Sequence, residues 1–309
     1  MSPVLFLVGP TGSGKTQLSL SLARRIGCEI ISADSMLVYR GMNIGTAKPT
    51  FAERKKIRHH LINVISPRSP FSVARHRELA LSAIKSIHKR GKVPLVVGGS
   101  GFYVNAIWKG LSPHPPENPE LRTRLARLAG KRGLAFLYEK LKRIDLKRAR
   151  AIHPNDQRRI LRALEIAELS GKSPTRFYGE KTSLEDLGYA VQAFGILRDR
   201  PDLYQRINRR VEQMFRQGFF QEVIKLKRKG FSETARQALG YREILNYLQK
   251  GGKKVTDELI GEIQQKTRQF AKRQLTWFRR EKGIRWIPWD VGETPIAVRD
   301  KIMKEVKNG

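Results

Sequence analysis

The stretch Gly9-Pro10-Thr11-Gly12-Ser13-Gly14-Lys15-Thr16 restricts the possible folds of this chain more than any other segment. It fits the phosphate-binding pattern G-x-x-x-x-G-K-[ST], which has physical meaning where a buried strand runs into the loop and a helix leaves it. Both neighbours are present. Val4-Leu5-Phe6-Leu7-Val8 is a short apolar run with the length of a parallel core strand. Behind the loop, Leu18, Leu22 and Ile26 recur at helical spacing until Gly27, a candidate C-cap. The glycines let successive backbone N–H groups point into one concavity, and the helix N-terminus adds partial positive charge. Lys15 would then reach a terminal phosphate, and the Thr16 hydroxyl would ligate Mg²⁺. The expected ligand is a di- or triphosphate, a class that includes ATP and other nucleotides.

Strand and helix alternate through the first segment, as in α/β folds. Cys28-Glu29-Ile30-Ile31-Ser32 reads as a second strand ending at Ala33-Asp34-Ser35. Val93-Pro94-Leu95-Val96-Val97 reads as a third, running into Gly98-Gly99-Ser100-Gly101. Pro113, Pro115, Pro116 and Pro119 then break the pattern. From about 120 to 180 the expectation is all helix, over 121–131, 135–141 and 158–169, before a strand pattern returns at 190–197. A helical block between strands of one sheet reads as an insertion. The expected fold is therefore α/β: a P-loop parallel-sheet core with helices on both faces, plus an all-helical insertion domain. The bounds are 1–112 for the first part of the core, 113–182 for the insertion, and 183–309 for the second part with its C-terminal helices. In the long helix expected over 257–281, Leu259, Ile263, Phe270 and Trp277 mark an apolar stripe.

The charge is extreme, with 61 Lys+Arg against 28 Asp+Glu. The excess recurs in every part of the chain rather than in a tail. A small phosphorylated substrate needs only a few cations in one pocket, so a surplus this broad reads as the footprint of a polyanion. The plainer reading is a lysine-rich soluble enzyme. A hydrophobic fraction of 40% supports a sizeable core and excludes a disordered chain. The lone Cys28 excludes an internal disulfide and a thiolate cluster, which suits a reducing compartment. No apolar run approaches the roughly 20 residues that span a bilayer. The N-terminus enters the first strand at once, which leaves no room for a cleavable signal. These features predict a cytoplasmic location and no membrane association.

Ligands of parallel sheets sit at the carboxyl ends of the strands. Three predicted strand ends carry Gly9–Thr16, Asp34-Ser35 and Gly98–Gly101, a phosphate cradle, a carboxylate and a hydroxyl. Asp34 is one of four acidic residues among the first 111. It could be a helix N-cap, a general base, or a partner of Mg²⁺. The third strand ends in Gly-Gly where a hydrolytic ATPase would carry an acid, so a transferase that holds a leaving diphosphate fits better. His59 and His60 are adjacent and diverge, so they make no metal pair. Arg158, Arg159 and Arg162 could be a solvated face. Arg159 and Arg162 share one side of a helix and could straddle a phosphate backbone. Tyr241 could be core or a stacking platform.

Taken together, these segments resemble the tRNA dimethylallyltransferases (tRNA isopentenyltransferases) of the bacterial type. The matching pieces are Gly9–Thr16, Ile31–Ser35 running on to Tyr39–Pro49, His59-His60-Leu61 and Gly98–Tyr103. After them come His153–Asp156 with Arg159, Arg162–Glu165, Leu239–Glu243 and Arg273–Phe278. The resemblance implies transfer of a dimethylallyl group from dimethylallyl diphosphate to N6 of adenosine 37, in tRNAs reading codons that begin with U. It implies Mg²⁺ and an insertion domain that clasps the anticodon stem-loop of a tRNA bound by a monomer. By position, the diphosphate falls to the loop, with Thr11–Thr16 as its core, and Arg200 is its second cation, with Arg198 and Arg206 nearby. Asp34 is the base, with Lys15 and Ser100 beside it in catalysis. Asp34, Ser35, Met36, Leu37, Ser100 and Arg122 would line the tRNA path. So would Arg158, Arg159, Ile160, Leu161 and Arg162, and then Arg236, Gln237, Ala238, Leu239, Gly240, Tyr241 and Arg242. The family usually has Thr where this chain has Ser100, so the hydroxyl survives without its methyl-enforced rotamer. An adenylate dimethylallyltransferase shares the loop and Asp34 but has no need of a basic insertion. A P-loop nucleotide or small-molecule kinase, or an RNA-binding protein without activity, are the other classes.

Overall fold

The protein is described by a computed structural model over residues 2–177, 179 and 181–307. Strands β1 (Ser2–Val8), β2 (Cys28–Ser32), β3 (His59–His60), β4 (Val93–Gly98), β5 (Tyr189–Leu197) and β6 (Ile284–Pro288) form one sheet. Their order is β3-β2-β4-β1-β5-β6, and every neighbouring pair is parallel. Between and beyond the first four strands lie α1 (Lys15–Ile26), α2 (Phe51–Lys56), α3 (Val73–Lys89) and α4 (Gly101–Trp108). Then come α5 (Pro119–Arg132), α6 (Leu134–Ile144), α7 (Leu146–Arg150) and α8 (Gln157–Ser170). After β5 follow α9 (Arg200–Arg216), α10 (Phe219–Lys229), α11 (Glu233–Arg236), α12 (Tyr241–Gln249) and α13 (Asp257–Phe278), with α14 (Pro295–Lys307) after β6.

Side chains of a strand alternate between faces, and β1 shows what each face receives. Val4, Phe6 and Val8 pack with Ala80, Ile84 and Ile87 of α3 and Val104 and Ile107 of α4. Leu5 and Leu7 face the other way, onto Leu18 and Leu22 of α1 and Val298 and Ile302 of α14. Helices cover both faces. Burial on both sides explains why β1 reads as a continuous apolar run. The four strands expected from sequence are β1, β2, β4 and β5. The edge strand β3 is two histidines long and offers no pattern to read. The outer strand β6 alternates, with only Ile287 fully buried in Ile284–Pro288. A third core gathers Val38, Tyr39 and Met42 with residues of α9, α10, α12 and α13.

The chain divides into two compact units, Met1–Lys109 with Ser183–Gly309, and Gly110–Thr182. Among its described residues the second unit is helical, with a core of its own built from Leu125, Leu137, Leu141, Ile152, Ile160 and Leu164. Local chemistry sets its helix ends. Asn118 accepts from the Leu121 N–H at 3.0 Å ahead of α5, and Asp156 accepts from Arg159 N–H at 3.0 Å ahead of α8. Asp145 caps α7 and also accepts from Ser173 and Thr175, which ties the last turn of the unit to its middle. Among the described residues no helix is long and apolar enough to cross a membrane.

Candidate active site

β1 lies between β4 and β5, with Val8 level with both Gly98 and Gly195. This is where the sheet order reverses, and the crevice outside such a point is where open α/β sheets bind ligands. The loop Gly9–Thr16 fills it. Gly12 and Gly14 have φ of 81° and 93°, a region costly for any residue with a Cβ. A Cβ at Gly14 would also stand 2.8 Å from the Trp289 ring. Three carbonyls of the loop are held by cations. Lys15 Nζ donates to the Pro10 carbonyl at 2.6 Å, Arg206 Nε to that of Gly12 at 3.0 Å, and Arg198 Nε to that of Ser13 at 2.9 Å. Arg198 is itself anchored by Asp202 at 2.8 Å and lies over Trp289, 4.0 Å from the ring centre. The Lys15 and Thr16 N–H groups open α1 without intrahelical acceptors.

Arg200, expected at the diphosphate, is exposed at the first turn of α9, with its guanidinium 5.1 Å from the Tyr204 ring. Arg198 and Arg206 reach the loop instead, as ligands of its carbonyls. The cation that sequence reasoning missed is Arg210. It shares the inward face of α9 with Leu203, Ile207 and Met214, and it lines a cavity of about 880 Å³ with Thr16, Lys48 and Arg54. Burial, aided by repulsion from Arg210, lowers the Lys15 ammonium to about 7, while the Asp34 carboxylate pulls it back up. Burial likewise lowers Arg210, and Asp34 again opposes. Three chain segments therefore bring one carboxylate and two cations within electrostatic reach. Burial also lowers Lys48, to about 8, although its Nζ donates to the Tyr39 carbonyl at 2.5 Å and to Asn63 at 2.7 Å.

Asp34 caps no helix. Its Oδ1 accepts from the Met36 N–H at 2.8 Å and the Leu37 N–H at 3.4 Å, the geometry of an Asx turn. That fixes the carboxylate and leaves Oδ2 without a protein donor among the described residues. The β2 and β4 ends are drawn together because residue 98 is glycine. A Cβ there would stand 2.4 Å from the Ala33 carbonyl oxygen. Ser100 follows at the N-cap of α4, yet its hydroxyl makes no capping bond. Gln274 of α13 completes this region. Its Oε1 accepts from the Thr11 N–H at 2.9 Å and its Nε2 donates to the Gly99 carbonyl at 2.7 Å. The N–H of Thr11, a residue expected at the diphosphate, is thus engaged by protein.

Thr16 is exposed at the head of α1. Among the described residues no group of three His, Cys, Asp or Glu forms a metal cluster. A hydroxyl beside a phosphate cradle is nevertheless a donor set that fits Mg²⁺, which takes one or two protein ligands and otherwise phosphate oxygens and water.

The remaining expected contacts separate by burial. Arg122 Nε and Arg162 Nη1 both donate to Glu165, at 2.9 Å and 2.6 Å, and Glu165 is wholly buried. Ile160 lies in the core of the second unit and Leu161 packs against it, whereas Arg158 and Arg159 are exposed. Tyr241 is core: it is wholly buried against Phe219, and its hydroxyl donates to Glu222 at 2.5 Å. Ala238 is buried beside it, Gly240 is buried with φ 84°, and Leu239 packs on the same core. Arg242 donates to buried Glu243 at 2.7 Å. Ser35 and Met36 are half-buried, as is Leu37, while Arg236 and Gln237 are exposed.

A family model described as IPP transferase matches residues 37–281. The chain is 44% identical over 309 residues to the tRNA dimethylallyltransferase of Halothermothrix orenii, covering 99% of this chain and 92% of that one. Among solved structures, the full-length tRNA isopentenylpyrophosphate transferase from Bacillus halodurans is 37% identical. It matches with a TM-score of 0.72 over 100% of this chain and 98% of that one. A eukaryotic dimethylallyltransferase acting on tRNA is 27% identical, with a TM-score of 0.81 over 100% of this chain and 79% of the other.

Proposed function

This chain belongs to the IPP transferase family, and we propose that it moves a dimethylallyl group from dimethylallyl diphosphate to N6 of adenosine 37 in tRNAs reading codons that begin with U. The observation that carries this reading is the placement of Asp34, anchored through Oδ1 after β2, and of the Gly9–Thr16 loop after β1 at the same carboxyl edge of one parallel sheet, with Thr16 and Arg210 lining one cavity there. An exocyclic adenine amine is a weak nucleophile, so its proton must leave as the N6–C1 bond forms. Asp34 Oδ2 is the acceptor, held in place through Oδ1 by the Met36 N–H. The C1–O bond breaks in the same step, and the charge that develops on the diphosphate is met by Lys15, Arg210 and the N–H groups that open α1. Mg²⁺ held at Thr16 would supply further charge neutralisation to the leaving group. The Ser100 hydroxyl, uncommitted as a cap, is available to orient the adenine. A base stacked in an anticodon loop must leave its stack to enter such a crevice, and the basic second unit supplies Arg158 and Arg159 for the RNA backbone.

The test is incubation of the protein with Mg²⁺ and labelled dimethylallyl diphosphate plus either tRNA or AMP. Label should enter tRNA alone, at one adenosine. Label in AMP alone would assign the chain to free-nucleotide prenylation, and phosphoryl transfer from ATP without prenylation would make it a kinase.

A further inference from the structure

Gln274 lies on the buried face of α13, which runs Leu259, Ile263, Thr267, Ala271, Gln274 and Phe278. The sequence pattern places the apolar stripe through Phe270 and Trp277. The observed face passes instead through two polar residues. Thr267 is satisfied within the helix, its hydroxyl donating to the Ile263 carbonyl at 2.6 Å. Gln274 is not. It is 7% exposed and sends both ends of its amide out of the helix, to Thr11 and to Gly99. A buried amide that satisfies one donor and one acceptor on two separate segments fixes their separation, since losing either bond strands a desolvated polar group. Gln and Asn carry a permanent acceptor and donor side by side on one planar amide, whatever the pH. The fit is close: a Cβ at Gly99 would stand 2.6 Å from Gln274 Nε2.

The two segments are the two halves of the crevice. Thr11 sits in the loop that cradles the diphosphate, and Gly99 immediately precedes Ser100 at the end of β4, the strand beside Asp34. From this we propose that Gln274 is a positioning residue, and that its amide sets the distance the dimethylallyl group crosses from the diphosphate to the acceptor amine. The inference rests on the transfer reading above. It also accounts for the Thr11 N–H being directed at a side chain rather than into the cradle.

Two substitutions test it. Gln274→Glu keeps an acceptor for Thr11 and loses the donor to Gly99, while Gln274→Met keeps the volume and loses both. For each, turnover is measured at saturating donor and tRNA, and affinity for inorganic pyrophosphate is measured without tRNA. A misplacement of about 1 Å can cost on the order of 10²-fold in rate. Turnover is therefore expected to fall at least about tenfold in both variants, while pyrophosphate affinity stays within about threefold of wild type. Unchanged turnover in either variant overturns the proposal. So does a parallel fall in turnover and pyrophosphate affinity, which marks a collapsed loop rather than a misplaced one. Pyrophosphate binding does not depend on the identity of the acceptor, so an error in the transfer reading shows separately, as absence of tRNA product with wild type.

Discussion

Arg122 Nε donates to Glu165 Oε2 across 2.9 Å, and Glu165 is wholly buried while Arg122 is about one-third exposed. Arg162 donates to the same oxygen at 2.6 Å, and the Asn118 N–H donates to the other at 2.6 Å. Burial raises the Glu165 pKa, but these bonds outweigh it and hold the carboxyl below its ordinary range. Two arginines that sequence assigns to the tRNA path therefore hold the second unit together.

It follows that Arg122→Ala and Arg159→Ala should differ in kind. The first leaves a buried carboxylate short of a partner, which costs about 1–3 kcal/mol. Hydrogen exchange across 110–182 should speed up. Arg159 is 67% exposed and pairs with Asp156 at 3.4 Å, so its loss should leave exchange unchanged. If Arg159 meets an RNA phosphate as proposed, its loss should weaken tRNA binding and flatten log K against log salt by just under about one unit. Equal exchange in both variants would mean that the Arg122–Glu165 bond contributes nothing to the stability of 110–182.

The P-loop and Asp34 were legible because their chemistry is local. A glycine loop needs a strand before it and a helix after it, and all three are contiguous in sequence. Arg210 and Gln274 were not legible, because each is a polar residue on the buried stripe of a long helix. Their partners lie hundreds of residues away: Thr11 and Gln274 are 263 apart. A signal was present, though. Arg210 falls three residues after Ile207, and Gln274 four before Phe278, where periodicity calls for an apolar residue. The choice among Arg198, Arg200 and Arg206 turned on where β5 ends and α9 begins. Leu197 closes the strand, so Arg198 is buried at the loop and Arg200 turns out to solvent.

Acid should weaken the core through Glu29. This carboxylate is 2% exposed on β2 and accepts from Arg90 at 2.7 Å, His60 at 2.7 Å and Lys92 at 3.2 Å. Burial pushes its pKa up, but those three partners outweigh it and bring the group from 4.5 to about 2. A depressed folded-state value gives stability that is present above 4.5 and lost as pH falls toward 2, worth about 3 kcal/mol in full. In urea melts from pH 6 to pH 3, the wild type should lose stability more steeply than Glu29→Gln. Parallel profiles would mean that Glu29 contributes nothing to acid sensitivity.

Diphosphate binding should tighten as pH falls through neutrality. The free Lys15 ammonium sits at about 7 because of burial and Arg210. A bound diphosphate supplies the missing counter-charge and raises it. The cationic contribution is full below 7 and falls up to about tenfold per pH unit above it, until the bound pKa is passed. Inorganic pyrophosphate titrates too, so the comparison is with Lys15→Arg, which stays charged throughout. Between pH 7 and 9 the wild type should lose affinity faster than the variant. Identical slopes would place Lys15 outside the titration.

Turnover should depend on Asp34 as a proton acceptor and not on its shape. Asp34→Asn keeps an oxygen to accept from the Met36 N–H, so the turn after β2 should persist. What it removes is the basic Oδ2 and one negative charge beside Lys15 and Arg210. Loss of a positioned general base costs about 10²–10⁴-fold, so turnover at saturating substrates should fall by that much. Two subsidiary results separate this role from a structural one. tRNA affinity should stay within about threefold, because phosphate contacts rather than Asp34 carry it. Pyrophosphate affinity at pH 7 should hold or improve, since one nearby negative charge has gone, though Lys15 also loses the group that raises its pKa. Near-normal turnover by the Asn variant would mean that the proton leaves by another route, and Asp34 would then serve only to hold the adenine.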